Sequence, residues 1–305
     1  MKRFLFEHII NTDFFYQFRR SPRVIFASFL ILLIILSAVF APLLTPHRPF
    51  DPGTLELMDA RKPPFFQEEG STTYPLGTDD QGRDVLAIIM YGSRISLIVG
   101  FGSVLLAMAI GISVGLLSGY TGGWIDSLFM RLADIQLTFP SILIALLIDS
   151  IARILFTGSA QDEVAILILI LAIGISTWPQ YARMTRSGAM VEKGKDYIAA
   201  ARIIKANPRK IMFRHILPNI MGPNLVLATL GLAGAVIVEA TLSFLGIGIP
   251  PTTPSLGTLI RIGNDYLFSG EWWITIFPAV ALVILVLSIN LLGDWLRDVL
   301  NPKLQ

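Results

Sequence analysis

Residues 196–219 read Asp-Tyr-Ile-Ala-Ala-Ala-Arg-Ile-Ile-Lys-Ala-Asn-Pro-Arg-Lys-Ile-Met-Phe-Arg-His-Ile-Leu-Pro-Asn. Two short helices meeting at a corner are the expected conformation. Asp196 opposes the positive end of the first helix dipole and Lys205 the negative end, each worth about 0.3–1 kcal/mol. Tyr197, Ala200, Ala201 and Ile204 recur at helical spacing as a small apolar stripe bordered by Arg202 and Lys205. Asn207 is a good N-cap and Pro208 a good first residue for the second helix, which should end near Leu217 because Pro218 follows. A basic amphipathic segment of this kind can rest on anionic lipid. That reading accounts for the cations but not for the alanines, which suit close approach to a protein groove.

The rest of the chain sets this segment in a membrane. Of 305 residues, 53% are hydrophobic and 15% charged, and mean hydropathy is +0.66, more apolar surface than a soluble core of this length buries. Six stretches approach the roughly 20 apolar residues needed to cross about 30 Å of hydrocarbon: 24–44, 95–117, 135–156, 164–182, 225–245 and 274–296. The fold class expected is therefore an all-α integral membrane protein with six transmembrane helices. A cleavable signal sequence is the alternative for the first span, but its apolar run is too long for one and five more spans follow.

With both termini inside, the inner segments hold 17 of the 24 Lys and Arg, as the positive-inside rule requires. The organisation follows: 1–23 a cytoplasmic N-terminal segment, 24–44 the first span, 45–94 an extended outer loop, 95–296 the membrane core with its cytoplasmic loop at 183–219, and 297–305 a cytoplasmic tail. Trp124, Trp178, Trp272, Trp273 and Trp295 fall near span ends, where amphipathic rings sit at headgroup depth. The outer loop, rich in proline and acidic residues, is expected to be an irregular, solvated cap.

Composition excludes several function classes. The chain has no cysteine, so disulfides, thiolate metal sites and cysteine nucleophiles are ruled out. A formal net charge of +2 gives no reason to expect a nucleic-acid partner. His215 lies far in sequence from His8 and His47, without metal-ligand spacing, and is expected to hydrogen-bond the loop to a partner or to the bundle. Gly194-Lys195-Asp196 lacks the earlier glycine and the hydroxyl residue of a phosphate loop, so this polypeptide is not expected to hydrolyse ATP. Glu239, within the fifth span, is costly at membrane depth; it either lines the solute path or ties spans together. Asp149 and Arg153, four apart, are expected to pair on one helical face. Asp126, Arg131 and Asp134 fall at the inner boundary, in solvated or packing roles.

Tyr197, Ala200 and Ala201, followed by His215, Leu217, Pro218 and Asn219, resemble the EAA loop of ABC importer permeases in its dipeptide, oligopeptide and nickel form. Four further segments are similar to the C-type subunit of peptide permeases: Pro75–Asp84 with Tyr91–Leu97, Gly119–Asp126 with Arg131, Asp134 and Pro140, Glu239–Gly248, and Gly293–Asp298. Ala199 stands where that family usually has Glu, and Lys205 where it usually has Gly. A left-handed lysine costs about 1–2 kcal/mol, so the corner is expected to be re-formed around Ala206 and Asn207.

The resemblance implies a type I ABC importer permease fold in a bacterial inner membrane, with a periplasmic loop after helix 1 and a coupling helix between helices 4 and 5. It implies a second homologous permease, two cytoplasmic ATPase subunits that bind ATP and Mg, and a periplasmic or lipid-anchored binding protein. Besides membrane lipid, peptide is the expected solute, nickel or another small solute the alternative, and no cofactor is expected on this chain. A secondary transporter would need a mid-membrane ion site and often repeated halves, and no repeat is visible. A membrane-embedded hydrolase would need a nucleophile motif that the sequence lacks.

Overall fold

The computed structural model describes residues 15–45, 47, 49, 50, 57–155 and 159–300. Residues 1–14 and 301–305 of the two terminal segments, Pro46 and Pro52 of the outer loop, and Phe156 at the end of the third expected span lie outside the described residues. The elements among them are helices: α1 (Phe15–Arg20), α2 (Pro22–Val39), α3 (Ala41–Leu44), α4 (Val85–Thr121), α5 (Gly123–Leu137), α6 (Ser141–Leu155), α7 (Ser159–Lys193), α8 (Asp196–Ile203), α9 (Pro208–Phe244), α10 (Leu256–Asn264) and α11 (Trp273–Leu300). Five of these are long and apolar enough to cross a membrane, six if α5 and α6 form one bent span.

That pair is the main departure from six plain spans. The expected third span, 135–156, begins inside the last turn of α5, and the chain bends by 92° before α6. Pro140 is the cause, since proline pushes the preceding residue, Phe139, away from helical geometry. The 15 residues of α6 reach only about 22 Å at 1.5 Å per residue. Gln136 braces the bend: its Nε2 donates to the Ile175 carbonyl at 2.5 Å, and its Oε1 accepts from Trp178 Nε1 at 2.9 Å.

The chain forms two compact units, one of residues up to Ile98 together with those from Ala240 onward, the other Val99–Glu239. In the first, α11 packs against α2 and α10, and Trp295 and Val299 are buried with Val24 and Phe18. The outer cap belongs to this unit and is less solvated than its composition suggests. Asp79 and Arg83 are buried at 1% and 4% exposure and pair at 2.6 Å. The other Asp79 oxygen accepts from the Gln81 and Arg83 amides, each at 2.9 Å. Gly77, at φ +80°, lets the chain pass close to Lys62, since a Cβ there would lie 2.6 Å from the Lys62 carbonyl oxygen. Helix α4 starts at Val85, ten residues before the expected span, because Asp84 caps its first turn by accepting from the Leu86 amide at 3.0 Å.

In the second unit α6 packs along α7, and α4 crosses α7 at close range. A Cβ on Gly115 of α4 would lie 2.3 Å from the Ala182 carbonyl oxygen of α7, and Gly111 and Gly119 approach α7 similarly. Three glycines spaced four apart clear one face of α4, the small-residue device by which helices associate in lipid.

Candidate functional site

The inner loop is built on a bed of aliphatic side chains. Ile198 and Ala201 of α8, Ile211, Ile216 and Ile220 of α9, and Leu116 and Ala189 of the adjoining helices form one buried cluster. Full burial of a side chain such as Ile198 contributes about 1.5–3 kcal/mol. The two arms of the loop are thus welded to α4 and α7 rather than lying free.

At the corner, the expected rearrangement around Ala206 and Asn207 does not occur. Lys205 itself adopts φ +53°, taking the position usually given to glycine. The Ala206 amide donates to the Ala201 carbonyl at 3.0 Å and the Lys205 amide to the Arg202 carbonyl at 2.9 Å. This is the Schellman pattern, and the accompanying apolar contact is present because Ala206 packs on the cluster that holds Ala201. Two satisfied carbonyls and that contact outweigh the left-handed strain on lysine. Asn207 then caps the next helix as expected, its Oδ1 accepting from the Arg209 amide at 2.9 Å.

The second arm does not stop near Leu217. Residues Ile211–Ile216 form a π-helical turn, the Leu217 amide donating five residues back to the Met212 carbonyl, and the helix runs on through Pro218 to Phe244. A widened turn moves the carbonyl that a proline ring would otherwise strike and needs no amide from Pro218. The second arm and the fifth span are therefore one continuous rod.

A polar knot joins the two arms. The Tyr197 hydroxyl donates to Glu192 Oε1 and accepts from Asn219 Nδ2 at 3.0 Å, while Asn219 also donates to the His215 carbonyl at 2.6 Å. Lys195 pairs with the second Glu192 oxygen at 2.7 Å. Burial, then the neighbouring Glu192 carboxylate, pushes the Tyr197 phenol from 10.0 up to about 12. His215 thus enters the knot through its backbone.

These contacts divide the expected apolar stripe. Ala201 turns inward with Ile198, so it does not belong to an outward face. Tyr197, Ala200 and Ile204 do face outward, joined by Ile203, with Ile203 and Ile204 81% and 78% exposed. Asp196 and Arg202 border them on the exposed side; Arg202 lies with Lys193 over the Tyr120 ring, 5.6 and 5.7 Å from its centroid.

Sequence reasoning missed Glu192, whose role depends on a tyrosine across a turn, and Ile203, which falls off the chosen stripe. It also missed the pairing of Arg186 with Asp126 at 2.5 and 2.6 Å and of Arg183 with Asp134 at 3.1 Å. Four basic and acidic residues near two span ends were the available signal. Asp149 and Arg153 pair as expected, at 2.6 Å. Glu239 is fully buried, with 0% exposure.

Residues 111–305 match the family model of the binding-protein-dependent transport system inner membrane component, and residues 12–64 match that of the N-terminal TM domain of oligopeptide transport permease C. The chain is 39% identical to the dipeptide transport system permease protein DppC of Haemophilus influenzae, over 96% of this chain and 95% of that one. It is 37% identical to the di/tripeptide transport system permease protein DppC of Pseudomonas aeruginosa, over 96% and 92%. Among solved structures it resembles a chain of the MetNI methionine ABC transporter in an inward-facing conformation, with TM-score 0.52 and 26% identity over 70% of this chain and 96% of that one. Full-length likeness to two permeases, a matching family model and an ABC transporter fold agree, and the chain belongs to the family of binding-protein-dependent transport system inner membrane components, the permease subunits of ABC importers.

Proposed function

We propose that this chain forms half of the path by which an ATP-driven importer moves di- or oligopeptides across a bacterial inner membrane. The observation that carries the reading is the outward face of Ala200, Ile203 and Ile204 on a loop that is otherwise locked to its helices. Such a face suits a cleft in a cytoplasmic ATPase, and the rod from Pro208 to Phe244 carries its displacement into the membrane. A second, homologous permease completes the path, two ATPase subunits bind ATP and Mg, and a periplasmic or lipid-anchored protein delivers the solute. This chain binds no cofactor and does no covalent chemistry. The peptide assignment is supported by the names of the relatives, and the inner-membrane setting with both termini inside by the lysine and arginine distribution. Glu239 takes the tying role rather than that of a path residue.

The test is Ala200→Glu in the assembled transporter. A carboxylate pressed into an apolar contact without a partner is strongly unfavourable, so peptide uptake falls while membrane insertion and basal ATP hydrolysis persist. Wild-type uptake would refute the docking assignment. Ala201→Glu acts differently: it drives a charge into the loop's own cluster and exposes the loop to protease.

A further inference from the structure

The outer cap carries a feature that transport does not explain. Phe65 and Phe66 are 57% and 56% exposed although the turn that carries them is closed by its own bonds. The Gln67 amide donates to the Pro64 carbonyl at 2.9 Å and the Gly70 amide to the Gln67 carbonyl at 3.0 Å. Gly70 closes this double turn so tightly that a Cβ on it would lie 2.2 Å from the Pro64 oxygen. The tip is therefore built to hold two phenyl rings outward, not left loose.

The rings continue an exposed apolar surface on a helix long and apolar enough to cross a membrane. Phe66 lies 6.5 Å from Trp272, which lies 5.6 Å from Phe277, and Arg61 reaches Glu271 at 3.7 Å, fastening the cap beside the start of α11. From Trp272 an exposed apolar stripe descends through Ile276, Val280, Val283 and Leu287, spaced four, four, three and four. Trp272, at the head of this apolar stripe, is the level at which Phe66 packs. Glu68 and Glu69, the next exposed residues, provide the polar side. Phe268, in the turn leading into α11, is likewise exposed, at 95%.

We propose that the Phe65–Phe66 tip is a membrane-interfacial anchor, its rings seated at the headgroup–acyl boundary of the outer leaflet. Aromatic side chains favour that boundary, and anchoring there would hold the cap at fixed depth beside the sixth span. The absence of cysteine from the chain makes the test direct. Phe65→Cys, Phe66→Cys and Glu69→Cys are spin-labelled one at a time in the full-length chain, in nanodiscs of phosphatidylethanolamine and phosphatidylglycerol, with and without the partner subunits. Relaxation by oxygen and by a water-soluble nickel chelate is then compared. The expected result is an oxygen-to-nickel ratio several-fold higher at positions 65 and 66 than at 69, in both preparations. Equal ratios at the three positions place the tip in water and overturn the proposal. Protection from both reagents, gained when the partners are added, assigns the tip to a protein contact and overturns it as well.

Discussion

The outer cap and the inner loop are both proline-containing connections between spans, yet they are stabilised in opposite ways. The cap folds around charge, enclosing Asp79, Arg83 and Asp84. The loop folds around aliphatic groups, enclosing Ile198, Ala201, Ile211 and Ile216. Buried ion pairs tolerate little displacement, because attraction repays desolvation only when the geometry is good. An aliphatic bed is less directional, and suits an element that is held to its helices while its outer face stays exposed, as the proposed docking requires. The exposed apolar groups differ in the same sense: aromatic on the cap, as the proposed bilayer anchor requires, and aliphatic or alanine on the loop, as the proposed docking in a groove requires.

The largest effect should come from Arg83→Ala, which leaves the Asp79 carboxylate buried without its cation. A loss of about 3–5 kcal/mol is expected, read as a fall in the melting temperature of the purified chain. Adding Asp79→Asn, which removes the buried charge and keeps an acceptor for the Gln81 and Arg83 amides, should recover much of it, and a near-neutral Arg83→Ala would erase the contrast between the two regions. Tyr197→Phe should cost about 1–3 kcal/mol by leaving Glu192 and Asn219 short of a partner. The change should stay local, with faster amide exchange across residues 192–219 and an unaltered cap.

Lys205→Gly should act in the other direction, stabilising the corner by about 1 kcal/mol through relief of the left-handed residue. Slower exchange at Ala206 would show it, and no change would mean that the Schellman corner holds lysine without strain.

The smallest effect is a difference in pH response. A hydrogen bond from Lys62, then one from Tyr74, holds the Asp59 carboxyl below its ordinary 3.8. Its stabilisation of the cap is complete above 3.8 and is lost as pH falls through the lower folded value, because the unfolded chain takes up the proton first. Tyr197 is raised instead, so its contribution is complete below pH 10.0 and is lost as pH climbs towards about 12, since the unfolded phenol releases its proton first. Asp59→Asn should flatten the acid limb of a stability curve and Tyr197→Phe the alkaline limb; the reverse assignment would break the comparison.

Much of this was legible in the chain. Long apolar runs and the order of the motifs identified a multi-span permease. Asn207 and Pro208 announced the start of the second arm, because capping is settled within one turn. The four-residue spacing of Asp149 and Arg153 announced their pair for the same reason.

What the residues alone determined was therefore whatever depends on solvent or on neighbours within a turn or two: which segments prefer lipid and where a helix can begin. Tertiary structure alone decided which face of α8 is spent on the protein's own core, that Lys205 keeps a glycine's conformation, that Pro218 is carried through by a π turn, that the third span breaks at Pro140, and that Glu239 is enclosed. Each of these balances a local penalty against contacts made by residues far away in the chain, and such contacts exist only once the helices have packed.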